Sequence, residues 1–201
     1  DYGFSVVKYE GTGSNATVGH GLSTAPKFFF GRNIDDTSGS RDWIIYHESV
    51  GNTGRLKFTT GTTSTSSTFF QDTSPSDSVI TIGTSNDINK DNDDYVLYCW
   101  SEIAGFSKFG SYSGGTNPQT ITTSFKPKFL IIKRTDTDNY WMLIDSERGG
   151  TQKLAANDSG EENKLSTVGD NAQNVVEFLD DGFKLTTTNA GTNVSSGTYV
   201  Y

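Results

Sequence analysis

The chain has 201 residues, among them 22 Gly, one Cys and one Met, with a formal net charge of −8 and only 32% hydrophobic residues. Its 13 Phe, 9 Tyr and 3 Trp exclude a disordered chain, which would lack such large apolar rings. The acidic balance and the absence of any Lys/Arg run exclude the basic face that nucleic-acid binding needs, and no apolar stretch reaches the length of about 18 residues expected of a membrane-spanning helix.

Short runs rich in β-branched and aromatic residues, broken by Gly, Ser, Thr and Asn, predict strands joined by turns. In chain order the strands are Phe4–Tyr9, Ala16–His20, Lys27–Arg32, Trp43–Glu48, Leu56–Thr60, Thr68–Gln71, Val79–Ile82 and Tyr95–Ser101. A second series follows: Ser107–Tyr112, Gln119–Ser124, Phe129–Arg134, Trp141–Asp145, Lys153–Leu154, Val175–Phe178, Phe183–Thr187 and Thr198–Tyr201. Gly11-Thr12-Gly13, Gly51-Asn52-Thr53-Gly54, Asp180-Asp181-Gly182 and Ser196-Gly197 are turn chemistry. Phe28–Phe30 and Phe129–Ile132 are continuously apolar, which predicts central strands covered on both faces. Pro26 and Pro127 stand at strand entrances, where no ladder donor is lost. The best place for a short helix is Leu154–Gly160.

The two series match each other. Gly3-Phe4-Ser5 recurs as Gly105-Phe106-Ser107, and Ala25-Pro26-Lys27-Phe28-Phe29-Phe30 as Lys126-Pro127-Lys128-Phe129-Leu130-Ile131. Trp43-Ile44-Ile45-Tyr46 recurs as Trp141-Met142-Leu143-Ile144, and Tyr95-Val96-Leu97-Tyr98 as Tyr199-Val200-Tyr201. Self-similarity of this kind predicts two tandem units, 1–104 and 105–201. Each is expected to be an all-β antiparallel sandwich of jelly-roll or immunoglobulin/lectin-like type. The missing initial Met, and a second copy that stops inside its last strand, lead us to expect a segment of a longer polypeptide.

Several segments resemble a repeated β domain of tailed-bacteriophage structural proteins, tail-fibre-like proteins of marine and cyanobacterial phages above all. They are Val18-Gly19-His20-Gly21-Leu22, Ala25-Pro26-Lys27, Trp43 with Tyr46-His47, Tyr98-Cys99-Trp100 and Gly105-Phe106-Ser107-Lys108-Phe109-Gly110-Ser111-Tyr112. In the second half Phe125-Lys126-Pro127, Lys133-Arg134-Thr135, Trp141, Asp180-Asp181-Gly182-Phe183-Lys184-Leu185 and Thr198-Tyr199-Val200-Tyr201 continue the likeness. Asp180-Asp181 replaces the family's usual Ser-Asn. The resemblance implies a virion-surface protein: a tail-fibre or receptor-binding module contacting host glycan, or alternatively a head decoration or other assembly subunit. It also implies a homotrimer that meets other virion proteins. It brings no catalytic residue.

The residues themselves favour no chemistry. His20 and His47 are the only histidines and Cys99 the only thiol, too few for a zinc site. Cys99, inside an apolar run, reads as a small buried hydrophobe. Ser49 near His47 lacks a Gly-x-Ser-x-Gly elbow. The loop Asp87, Asp91, Asp93 and Asp94, with Asn86, Asn89 and Asn92, has the oxygen ligands calcium takes. Its counterpart Thr188–Gly197 has no acid, however, so a solvated turn is the expectation. Glu48, Asp145, Glu147 and Glu177 show no spacing that singles out a glycosidase pair. Trp43 and Trp141 are expected as core anchors rather than sugar platforms, whereas Tyr9 and Tyr112 stand before glycine-rich loops and are expected to be more exposed. Arg32, Lys133 and Arg134 are expected to pair with Asp35, Asp36, Asp136 or Asp138, and Arg55 and Arg148 with those or with a neighbouring subunit. Thus no catalytic, metal or cofactor site is expected, no enzyme activity, and no ligand-contacting residue can be singled out.

Overall fold

A computed structural model describes residues 2–39, 41–59, 61–115, 117–159 and 175–201. Two compact units are present: Asp1–Phe58 with Thr63–Ile103, and Thr59–Thr62 with Ala104–Tyr201.

The first unit contains β1 (Phe4–Glu10), β2 (Ala16–Gly19), β3 (Phe28–Asn33), β4 (Ile44–His47), β5 (Gly54–Lys57), β6 (Ser64–Thr65), β7 (Val79–Ile82) and β8 (Asp94–Trp100), with helical turns α1 (Ser67–Phe70) and α2 (Asn86–Asn89). One antiparallel sheet runs β1-β8-β3-β4-β5-β6 and a second pairs β2 with β7. The second unit contains β9 (Ser111–Ser113), β10 (Gln119–Thr122), β11 (Phe129–Arg134), β12 (Trp141–Asp145), β13 (Lys153–Ala155), β14 (Val176–Leu179), β15 (Gly182–Leu185) and β16 (Thr198–Val200). Its large sheet runs β9-β16-β11-β12-β13, the strand order of the first unit, and β10-β15-β14 forms the small sheet. Both units are antiparallel all-β sandwiches.

Period-two alternation places each core. In the first unit Val18, Phe29, Ile44, Tyr46, Ile80, Ile82, Leu97 and Cys99 form one buried cluster with Phe69 and Phe70 of α1. In the second, Ile121, Leu130, Ile132, Met142, Ile144, Phe183, Leu185 and Tyr199 do the same. The registers correspond: Phe28 faces His47 across β3 and β4, and Phe129 faces Asp145 across β11 and β12. β3 and β11 are central strands, but only partly covered on the second face: Phe129 is 54% exposed.

Two elements depart from the sequence reading. Thr68–Gln71 was expected as a strand, yet Ser67–Phe70 is helical. The Ser66 side chain caps it by accepting from the Thr68 N–H, Gln71 closes it in a left-handed conformation, and both phenylalanines reach the core. Local capping together with burial of two rings overrides the strand propensity of Thr-Phe-Phe. Gly83 fits against this turn because a Cβ there would lie 2.2 Å from the Thr68 carbonyl oxygen. In the second unit the same position of the repeat holds a true strand, β14. The short helix expected at Leu154–Gly160 is not there: Leu154 and Ala155 belong to β13, which pairs with β12, and Gly160 lies outside the described residues.

A shared device fixes the loop before the last strand of each unit. The Tyr95 hydroxyl accepts from the Lys90 N–H at 2.8 Å and donates to the Asn86 carbonyl at 2.8 Å. The Tyr199 hydroxyl accepts from the Val194 N–H at 2.9 Å and donates to the Ala190 carbonyl at 3.1 Å, with identical spacings of five and nine residues. Tyr9 stacks on Tyr95 with centroids 5.2 Å apart, and Tyr112 on Tyr199 at 5.0 Å. Tyr9 donates to the Ile88 carbonyl and Tyr112 to the Thr192 carbonyl. Buried Asn89 then accepts from the Thr12 N–H at 2.7 Å, and buried Asn193 from the Gly115 N–H at 3.1 Å. The expectation that Tyr9 and Tyr112 are the more exposed aromatic residues is therefore corrected: Tyr112 is buried, Tyr9 is half-buried, and burial raises both hydroxyl pKa values.

Candidate binding surface

The large sheet of the first unit has a second face, opposite its core. Alternation directs Phe4 and Val6 of β1, Phe28, Phe30 and Arg32 of β3, and Val96, Tyr98 and Trp100 of β8 to it. Register brings Phe4 and Phe28 to either side of Trp100, and Phe30 beside Tyr98. The rings form one connected group: Phe30 lies 5.1 Å from Trp100, 5.2 Å from Tyr98, 5.3 Å from Trp43 and 5.3 Å from Phe58, and Phe4 lies 4.8 Å from Trp100. Arg32 sits over the Trp43 ring at 5.8 Å. Most of these contacts are tilted or edge-on, the arrangements aromatic pairs favour. Trp43, Tyr98 and Trp100 stay partly exposed, so the expectation of Trp43 as a core anchor is corrected, whereas Trp141 is buried, at 2% exposure. On the same face of the second unit Ile131 stands where Phe30 does, whereas Phe129 and Trp141 keep the places of Phe28 and Trp43. A cluster of partly exposed rings on one sheet face is a candidate interaction site.

The other singled-out residues are absorbed by structure. His20 is fully buried: Nδ1 accepts from the Leu22 N–H at 3.1 Å, and Nε2 lies 3.2 Å from the Ser76 carbonyl. His47 Nδ1 accepts from the Ser49 N–H at 3.1 Å, and Asp145 Oδ1 accepts from the Glu147 N–H at 3.1 Å. An imidazole and a carboxylate thus hold the same turn in the two copies, and Ser49 takes part through its backbone. Cys99 is buried, and desolvation pushes its thiol up to about 12.

The acidic loop is spoken for by cations and amides. Asp93 meets Lys90 at 2.7 Å and Asn33 at 2.7 Å, Asp94 meets Lys8 at 2.5 Å, and Asp87 lies 3.7 Å from Arg41 and 3.8 Å from Lys57. Asn89 faces inward as the loop clamp. Among the described residues no group of three or more His, Cys, Asp or Glu could hold a metal ion. The four carboxylates weighed as a glycosidase pair meet separate partners: Glu48 meets Lys27, Asp145 meets Arg148, Glu147 meets Lys128 at 3.6 Å and Glu177 meets Lys184.

Of the basic residues, Lys133 of β11 is buried and donates to the Asn139 carbonyl at 2.6 Å; burial lowers its pKa to about 8. Arg55 lies over the Phe69 ring at 3.9 Å. Arg134 makes a bidentate pair with Asp136, both contacts at 2.9 Å, and Asp136 also accepts from the Thr198 N–H. The guanidinium holds the Asp136 carboxyl down to about 2. Because the folded value lies below the ordinary one of 3.8, the stabilisation is complete above about pH 4 and lost as pH falls towards 2. Acid titration of β16 amide exchange checks this: wild type loses protection over that window, and Asp136→Asn lacks that pH-dependent step.

A family model described as a domain of unknown function (DUF7483) matches residues 1–201. No curated protein and no solved structure matches the chain.

Proposed function

We propose that this chain, which belongs to the DUF7483 family, is a surface module of a tailed-bacteriophage particle, a tail-fibre or receptor-binding element that contacts host-surface glycan and catalyses no reaction. The aromatic face of the first unit is the observation that supports adhesion. Flat, partly exposed rings on a hydrogen-bonded sheet suit the C–H faces of pyranose sugars, and a rigid scaffold keeps the ordering cost of binding low. The segments resembling phage structural proteins, from Val18-Gly19-His20-Gly21-Leu22 to Thr198-Tyr199-Val200-Tyr201, support the virion setting. The same resemblance supports a homotrimer among other virion proteins.

A second reading, a head decoration or assembly subunit without a ligand of its own, draws on Phe4 and Val6, which are 46% and 54% exposed. Such apolar side chains suit burial against an identical neighbour. A glycan array probed with the whole chain separates the two readings. Adhesion requires selective binding to one sugar class, weakened at least tenfold by Trp100→Ala. Binding to no glycan, with a trimer in mass photometry that Trp100→Ala dissociates, favours assembly instead.

A further inference from the structure

The edge of the first unit's large sheet has a property that neither the aromatic face nor the repeat requires. Among the described residues β1 pairs only with β8, and the Gly11 N–H to Asp93 carbonyl and Ser101 N–H to Gly3 carbonyl bonds fix which residues face it. Odd-numbered residues of β1 direct their backbone groups to β8, so Phe4, Val6, Lys8 and Glu10 direct theirs outward. No described residue bonds to those outward N–H and C=O groups. Beside them a shallow groove of about 300 Å³ runs between β1 and β2, lined by Val7, Tyr9, Ala16, Val18 and Ile82.

Natural edges are blunted by short length, charge, bulges or proline. The second unit follows this rule: its edge strand β9 has three residues, with only Ser111 and Ser113 exposed. β1 has seven residues, no proline, and apolar Phe4 and Val6 exposed on its first half. Its charges stand only on the second half. Lys8 meets Asp94, whereas Glu10 makes no ion pair among the described residues.

We propose that β1 is a docking edge for an extended segment of a partner protein, which adds antiparallel as a further strand. Opposite Glu10, Lys8, Val6 and Phe4 the partner presents, in order, a basic, an acidic, an apolar and an aromatic side chain. Its alternate residues are small or β-branched and lie over the groove. Main-chain bonds supply the affinity, and the Lys8 and Glu10 charges set direction and register.

The probe is the synthetic peptide Lys-Val-Glu-Val-Leu-Thr-Phe, titrated into the isotopically labelled whole chain. Binding should slow amide exchange at Phe4, Val6, Lys8 and Glu10 and leave Val7 and Tyr9 unchanged. The charge-swapped peptide Glu-Val-Lys-Val-Leu-Thr-Phe should bind about fivefold more weakly, as expected for two cross-strand pairs turned repulsive. Val6→Pro removes an outward N–H but no bond to β8, so it should keep the fold and weaken binding at least tenfold. Should Val6→Pro misfold, the double variant Lys8→Glu with Glu10→Lys provides the second test by reversing the preference between the two peptides. Equal binding of both peptides, or unchanged exchange at the four outward amides, overturns the proposal. So does protection of those amides that rises with protein concentration without peptide, because a second copy then takes the edge.

Discussion

Asn89→Ala should cost the first unit about 2–4 kcal/mol, because it removes three hydrogen bonds made by one buried amide. The side chain accepts from the Thr12 N–H at 2.7 Å and donates to the Ser14 carbonyl at 2.6 Å and the Gly83 carbonyl at 2.7 Å. Three segments, the loop after β1, the loop after β7 and α2, are thereby tied to one amide. Truncation leaves the buried Gly83 carbonyl short of a partner and unties the loop after β1, and an unsatisfied buried polar group costs more than a surface bond is worth. The stacked pair Tyr9–Tyr95 rests on the same loops, so its protection should fall with the clamp. Denaturant unfolding read by amide exchange in β2, β7 and β8 measures this. A loss below about 1 kcal/mol would show that the loops are held without the asparagine.

Phe29→Ala is expected to cost about 3–5 kcal/mol, the range for an aromatic side chain lost from a core that cannot collapse around the cavity. Phe29 has no exposure, stacks on Tyr46 with centroids 4.9 Å apart and meets Phe70 edge-on at 5.4 Å. One substitution removes contacts to β4 and α1 together. Phe129→Ala, at an exposed position one residue earlier in the equivalent strand, should change stability by about 0.5 kcal/mol or less. The contrast tests the assignment of faces: similar costs at the two sites would mean that inner and outer faces have been exchanged.

Strand positions were largely readable because period two and turn residues act locally. Val79–Ile82, Phe129–Arg134 and Trp141–Asp145 form at the expected bounds. The repeat was readable because it is written in ring positions that build equivalent cores. Thr68-Phe69-Phe70 was misread because strand propensity cannot register a Ser66 cap or the core space that two rings fill. The tyrosine–asparagine device was missed. Its signal was present as Asn89 six residues before Tyr95 and Asn193 six before Tyr199, but the neighbouring acids drew Asn89 into a calcium reading. The aromatic face was hidden for a different reason. Phe4, Phe30, Trp43, Phe58 and Trp100 come from separated strands, and only the order β1-β8-β3-β4-β5 brings them together.

Three indole N–H resonances offer the most direct examination of the idea that the first unit binds sugar through its outer face and does no chemistry. With a glycan selected on the array, Trp43 and Trp100 should shift on titration and buried Trp141 should not, while the sugar spectrum stays unchanged over days. Shifts at Trp141 alone, or the appearance of cleaved sugar, would contradict it.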